Sequence, residues 1–217
     1  MRGGRPYVDR AAAGRALADE VIGALAEHDH DQGRPLVLAL PRGGVPVAVP
    51  VARRLGAELS VLVVRKLGAP GQPELAVGAI AAVGDQVVWV LNDHVVRRLG
   101  LSAERLAALV GAETDELQAR VRLFGATPSV AGRTVILVDD GLATGATMRV
   151  AATAVRGGDA AYVLVAVPVG AADACRDLAG LADAVVCPRR PSPFRAVGEH
   201  YRDFAQLNDA DVLALLH

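Results

Sequence analysis

The sequence is poor in the residues from which several functional classes are built. Only two of its 217 residues are cysteine, Cys175 and Cys187, so neither a disulfide framework nor a zinc cluster is indicated. A reducing compartment, the cytoplasm, is expected, with a single bridge between the two as the alternative. Aromatic residues make up 3% of the chain, and two of the three phenylalanines fall together near its end. Lysine occurs once, at Lys66, within a stretch that also carries Arg65 and runs into glycine and proline. The 23 basic residues nearly cancel the 24 acidic ones, which argues against a cationic nucleic-acid wrapper, and no nucleic acid is expected as a partner. No apolar run approaches the roughly 20 residues of a membrane span, and residues 1–10 are too polar and basic for a secretory leader. Two phosphate motifs are also missing: G-x-x-x-x-G-K-[ST] occurs nowhere, and no G-x-G-x-x-G follows the first apolar run.

What is present is a chain 52% apolar with 23 glycines and 12 prolines, long enough for one sizeable core. Residues 9–28 carry Ala12, Ala16, Leu17, Val21 and Leu25 at helical spacing, with Asp9 available as N-cap. His28 and His30 then sit in a polar connector, where a metal pair is a remote alternative. Five short apolar runs follow at 36–40, 59–64, 135–138, 161–167 and 184–186. They are continuously apolar, as strands covered on both faces are. Helical stretches at 45–55, 102–124, 145–156 and 171–178 separate them, which predicts an α/β fold with a parallel sheet. Residues 67–91 break this rhythm. Their Gly/Pro-rich start predicts a mobile loop, and Gly84-Asp85 between two apolar runs predicts a hairpin. Residues 188–217 hold Phe194, Tyr201 and Phe204 and read as a hood or tail of the same domain, whose core is residues 1–187.

Two strand-to-helix turns suit anions. Arg42-Gly43-Gly44 can offer adjacent backbone N–H groups at a helix start, with the guanidinium as an added donor, although a Gly-Gly turn is often only structural. Asp139-Asp140 end the third principal strand. Two carboxylates there can hold hydroxyls or a metal-bound sugar, and Gly141-Leu142-Ala143-Thr144-Gly145-Ala146-Thr147 can wrap a monophosphate with N–H and hydroxyl donors.

Residues 134–148, TVILVDDGLATGATM, resemble the phosphoribosyl-pyrophosphate (PRPP) signature of type I phosphoribosyltransferases. Across nearly its full length the chain is similar to a bacterial branch of that family, through LPRGGVP at 40–46, VVRKLG at 63–68 and Asp203-Phe204. The resemblance implies an open parallel sheet of order 2-1-3-4-5, with a hairpin and flexible-loop excursion and a small C-terminal hood. It further implies Mg²⁺-dependent transfer of the 5-phosphoribosyl group to a small nitrogen acceptor, with pyrophosphate released, in a homodimer. Asp139 and Asp140 would hold the ribose hydroxyls, residues 141–147 the 5-phosphate, and Arg42, Gly43, Gly44 and Lys66 the pyrophosphate, with Mg²⁺ carried mainly by PRPP and water. Arg65 would either assist there or form a structural ion pair. A non-proline cis peptide is implied in the first loop, at Arg42-Gly43. Glu74 is a candidate acid/base or a solvated loop carboxylate. Phe194, Tyr201 and Phe204 would either enclose a planar acceptor or clamp the tail to the domain. Where relatives acting on 6-oxopurines carry an aspartate, this chain has Ala143, which weakens that acceptor class. A non-catalytic PRPP or nucleotide sensor on the same fold is the alternative function.

Overall fold

The computed structural model describes residues 5–27, 34–84 and 86–216; the His28 and His30 connector lies outside them. Helix α1 (Arg10–Ala26) starts where the Asp9 carboxylate accepts from the N–H of Ala12. Strand β1 (Leu36–Ala39) leads through the first glycine turn into α2 (Gly44–Leu55), which ends at Gly56 in the left-handed conformation, and β2 (Glu58–Val61) follows. After an antiparallel excursion come β6 (Thr134–Val138), α5 (Ala146–Gly157), β7 (Tyr162–Ala166), α6 (Ala172–Leu178) and β8 (Ala184–Val186). These strands form a five-stranded parallel sheet, β2-β1-β6-β7-β8, the expected 2-1-3-4-5 order.

Alternation along the continuously apolar strands divides the core in two. Val37, Ala39, Ile136, Val138, Leu164 and Ala166 face one side with Leu17 and Val21 of α1 and Val47 and Val51 of α2. Leu36, Leu38, Val135, Leu137, Val163 and Val165 face the other, with Ala151 and Val155 of α5 and Leu178 of α6. At one crossing α1 and α2 approach so closely that a Cβ on Gly14 would overlap the carbonyl of Val47. Cys175 and Cys187 are free and buried in the second core. A hydrogen bond from Cys187 draws the Cys175 thiol down to about 7.

The excursion differs from expectation. The second parallel strand stops at Val61, so Arg65 and Lys66 lie in a separate strand, β3 (Val64–Ala69). Most of residues 67–83 is paired as strand instead of forming an irregular loop: β3 pairs with the long β4 (Gln72–Val83), and β4 with β5 (Gln86–Leu91), in a three-stranded antiparallel sheet. Pro70-Gly71 closes the first turn with Gly71 at φ 73°, the conformation a Pro-Gly type II turn requires. The expected hairpin is β4–β5, joined past Gly84 at φ 55°. Helix α3 (Asp93–Leu99) follows, capped by Asn92, and then α4 (Ala103–Phe124), where Ser102 caps as its position suggests. The antiparallel sheet has α4 and α5 packed against it.

Beyond β8 the chain is largely irregular, with a 3-10 turn over Val197–His200 and a final helix, α7 (Asp209–Leu216), whose buried Val212 reaches the first core. Residues 7–8 and 200–203 pair like parallel strands: Tyr7 donates its N–H to the His200 carbonyl (2.8 Å), and Arg202 donates to the Tyr7 carbonyl (2.8 Å).

Candidate active site

At the carboxyl end of β6, burial holds the acid pair in an unusual state. The Asp139 carboxylate accepts the N–H of Asp140 at 2.8 Å. Burial pushes its pKa well above the usual carboxylate range, and the adjacent Asp140 charge adds to the push. Burial raises Asp140 as well, while a hydrogen bond and the charge of Arg10 pull it back. Arg10 reaches Asp140 Oδ2 through Nε at 2.8 Å, both side chains being little exposed, at 11% and 14%.

The first glycine turn packs flush against this pair. A Cβ on Gly43 would displace the Asp140 carboxylate, and one on Gly44 would overlap the Val138 carbonyl, where the backbone leaves room for glycine alone. The non-proline cis peptide is present in this loop but one bond earlier than expected, at Pro41-Arg42. The Arg42 guanidinium lies 3.6 Å from Asp209 of α7, which Arg120 of α4 also contacts at 2.9 Å.

Leu142 is buried in the second core and anchors the 141–147 turn, its N–H bonded to the Val169 carbonyl and its carbonyl to the Ala171 N–H. Gly145 takes φ 73° ahead of α5, and Thr144, Ala146 and Thr147 are exposed around the first turn. There the leading N–H groups of a helix have no intrahelical carbonyl and suit an anion.

Two clefts border these turns. A groove of 740 Å³ between the antiparallel sheet and α5 is lined by Lys66, Thr144, Thr147, Arg149, Asn92 and His94. A second, of 440 Å³, is lined by Arg10, Arg42, Gly43, Asp140, Phe204 and Gln206. Lys66 and the 144–147 turn therefore share one cleft, while Arg42, Gly43 and Asp140 share the other. Arg65, next to Lys66 along β3, makes the ion pair left open by its sequence: Glu113 of α4 takes its Nε and Nη2 at 2.9 and 2.6 Å. Glu74 falls within β4, and its side chain lies outside what the structure describes.

The three C-terminal aromatics separate. Tyr201 is buried against Tyr7 and donates its hydroxyl to the Asp140 carbonyl at 2.5 Å, which is the clamp. Phe194 stacks on His200 with ring centroids 5.4 Å apart. Only Phe204 borders the acid-pair cleft, with the Arg10 guanidinium 3.8 Å from its ring centre. Arg10 is the residue that the motifs missed. No local pattern marks it, since its partners lie 130 and 195 residues further along the chain.

Residues 8–201 match the phosphoribosyl transferase domain family. In two strains of Mycobacterium tuberculosis the chain is similar to a protein, Rv0571c in one of them, whose name proposes phosphoribosyl transfer and gives no acceptor. The identity is 46% over 213 residues, covering 97% of this chain. The chain spans 46% of the length of those relatives. The crystal structure of TT1426 from Thermus thermophilus is similar over 98% of both chains, with 40% identity and a TM-score of 0.80. A protein from Aquifex aeolicus, AQ2163, shares the fold at 10% identity and a TM-score of 0.52, over 87% of this chain and 78% of its own.

Proposed function

Since the chain belongs to the type I phosphoribosyltransferase family, we infer that it transfers the 5-phosphoribosyl group of PRPP to a small nitrogen acceptor and releases pyrophosphate. The observation that carries this reading is the meeting of Asp139-Asp140 with Gly43-Gly44 at the ends of β6 and β1. There the sheet's connections diverge to opposite sides, the place where open α/β sheets take their ligands.

In this reading the acid pair accepts the ribose hydroxyls, and the 141–147 turn takes the 5-phosphate at the start of α5. The acceptor nitrogen forms a bond to C1 as the bond from C1 to the diphosphate oxygen breaks, and the electron pair leaves with pyrophosphate. Positive charge developing on the sugar is favoured by the acid pair. The backbone at Arg42-Gly43-Gly44 receives the diphosphate, Arg42 exchanging Asp209 for it, while Lys66 brings its charge to the cleft of the 144–147 turn. An Mg²⁺ would be carried mainly by the diphosphate and its waters. That ion would neutralise charge on the leaving group. The acceptor borders Phe204 in the acid-pair cleft, and Ala143 offers it no carboxylate. Two free cysteines support placing the protein in the cytoplasm, where it would act as a homodimer. No described helix is long and apolar enough to cross a membrane.

The test incubates protein with PRPP, Mg²⁺ and a panel of nucleobases and amines, following pyrophosphate and ribosylated products by mass spectrometry. Acceptor-dependent product is expected, with Lys66→Ala weakening PRPP binding by about tenfold or more. PRPP binding without product across the panel would make the protein a sensor, and acceptor-independent ribose phosphate would make it a hydrolase.

A further inference from the structure

The geometry points to Arg10 as the positioning residue of the acid pair: its guanidinium keeps the Asp140 carboxylate ionised and aimed at the Gly43 turn, and ties it to the C-terminal segment lining the same cleft. This rests on the reading of Asp139 and Asp140 as the ribose site. Two adjacent, largely buried carboxylates repel each other and lose hydration, and both effects favour the protonated form. A carboxylic acid proton directed into the site would compete with a ribose hydroxyl that must donate there, so the pair needs a cation.

Arg10 meets that need because a guanidinium stays charged at every accessible pH. The groups facing Asp140 from the other packed elements do not. From the turn after β6 comes Asp139, of like charge. From the turn before α2 come Gly43, which has no side chain, and Arg42, whose guanidinium turns to Asp209. From the C-terminal segment comes Tyr201, whose hydroxyl donates to the Asp140 backbone carbonyl, leaving the carboxylate to Arg10. Burial raises the Tyr201 phenol, so it stays neutral.

Arg10 also works from its far side. Nη1 donates to the Ala205 carbonyl at 3.0 Å, and the guanidinium plane covers Phe204. One side chain thus connects the first turn of α1, the end of β6 and the segment carrying Phe204 and Gln206. A change at Arg10 should be felt on the acceptor side as well as the sugar side.

The experiment is a carboxyl NMR titration of protein labelled with ¹³C at the aspartate side chains, with Asp140→Asn to assign the signal. Arg10→Gln is expected to move the Asp140 midpoint to higher pH. It should weaken PRPP binding about tenfold at pH 6, with recovery by pH 8.5, whereas Arg10→Lys should stay near the wild type in both readouts. In the wild type, the Arg10 Nε–H resonance should shift with the same midpoint as Asp140, a readout that needs no variant to fold. An Asp140 midpoint unmoved in folded Arg10→Gln, or a PRPP loss equal at both pH values, overturns the proposal. A moved midpoint in a protein that binds no PRPP supports the hold of Arg10 on Asp140 and removes the transferase reading instead.

Discussion

Asp139 illustrates how a side chain useful to a ligand can work against the fold. Its carboxyl is raised by burial and by the Asp140 charge, so the folded protein holds its proton more tightly than the unfolded chain does. A carboxyl raised in this way lowers stability as pH climbs from the unfolded pKa, about 4, toward the folded one. Asp139→Asn keeps an oxygen for the Asp140 N–H and removes the charge. The variant is expected to be about 1 kcal/mol more stable at pH 7, roughly 2–4 °C in Tm, and no more stable at pH 3, where both states carry the proton. Scanning calorimetry at the two pH values checks this, and a destabilised variant at pH 7 would contradict the account. Its PRPP affinity should fall, an instance of stability given up for function.

Among the elements, α4 is the longest helix described and has a thin attachment. Over 22 residues only Leu117 and Phe124 are buried, with the Arg65–Glu113 pair beside them. Leu117 is wholly enclosed between α4 and the antiparallel sheet, so Leu117→Ala should cost about 2–5 kcal/mol and loosen α4 first. Hydrogen exchange read along the helix would register this, and uniform protection in the variant would contradict it. The same region shows what the sequence made legible. Helix starts at Asp9 and Ser102 were readable because capping is a local hydrogen bond, and the parallel strands because burial on both faces leaves an unbroken apolar run. β3 and the start of β4 were not, whereas the apolar run before Gly84 marked the rest of β4 as one arm of the hairpin. Gly68, Pro70, Gly71 and Pro73 read as breakers, although Pro70-Gly71 is a turn and a long partner strand draws the flanking residues into pairing.

For the whole molecule, the site was legible in its two turns and illegible in what joins them. Asp139, Asp140, Gly43 and Gly44 stand in recognisable local patterns, but Arg10 and Phe204 reach the acid pair through contacts between residues far apart along the chain. The clamp at Tyr201 and the burial of Val212 against the first core also tie residues 188–216 to the rest of the protein. A chain ending at residue 187 would expose Tyr7, Ala13 and Val169 as well as lose those two side chains. Its Tm should fall by roughly 10 °C or more, measured by circular dichroism, and an unchanged transition would instead make the segment an accessory.

The contacts of Arg10 also set an order of events during synthesis. Its carboxylate partner is 130 residues further along the chain, and its carbonyl partner 195. Closing a loop of the second length costs on the order of 5 kcal/mol in chain entropy. A ribosome has therefore delivered the glycine turn, the acid pair and the phosphate turn well before it delivers Phe204 and Ala205. Until then, Asp139 and Asp140 lack the full set of contacts that steadies their charge, so the proposed sugar site is complete only after residue 205 has emerged.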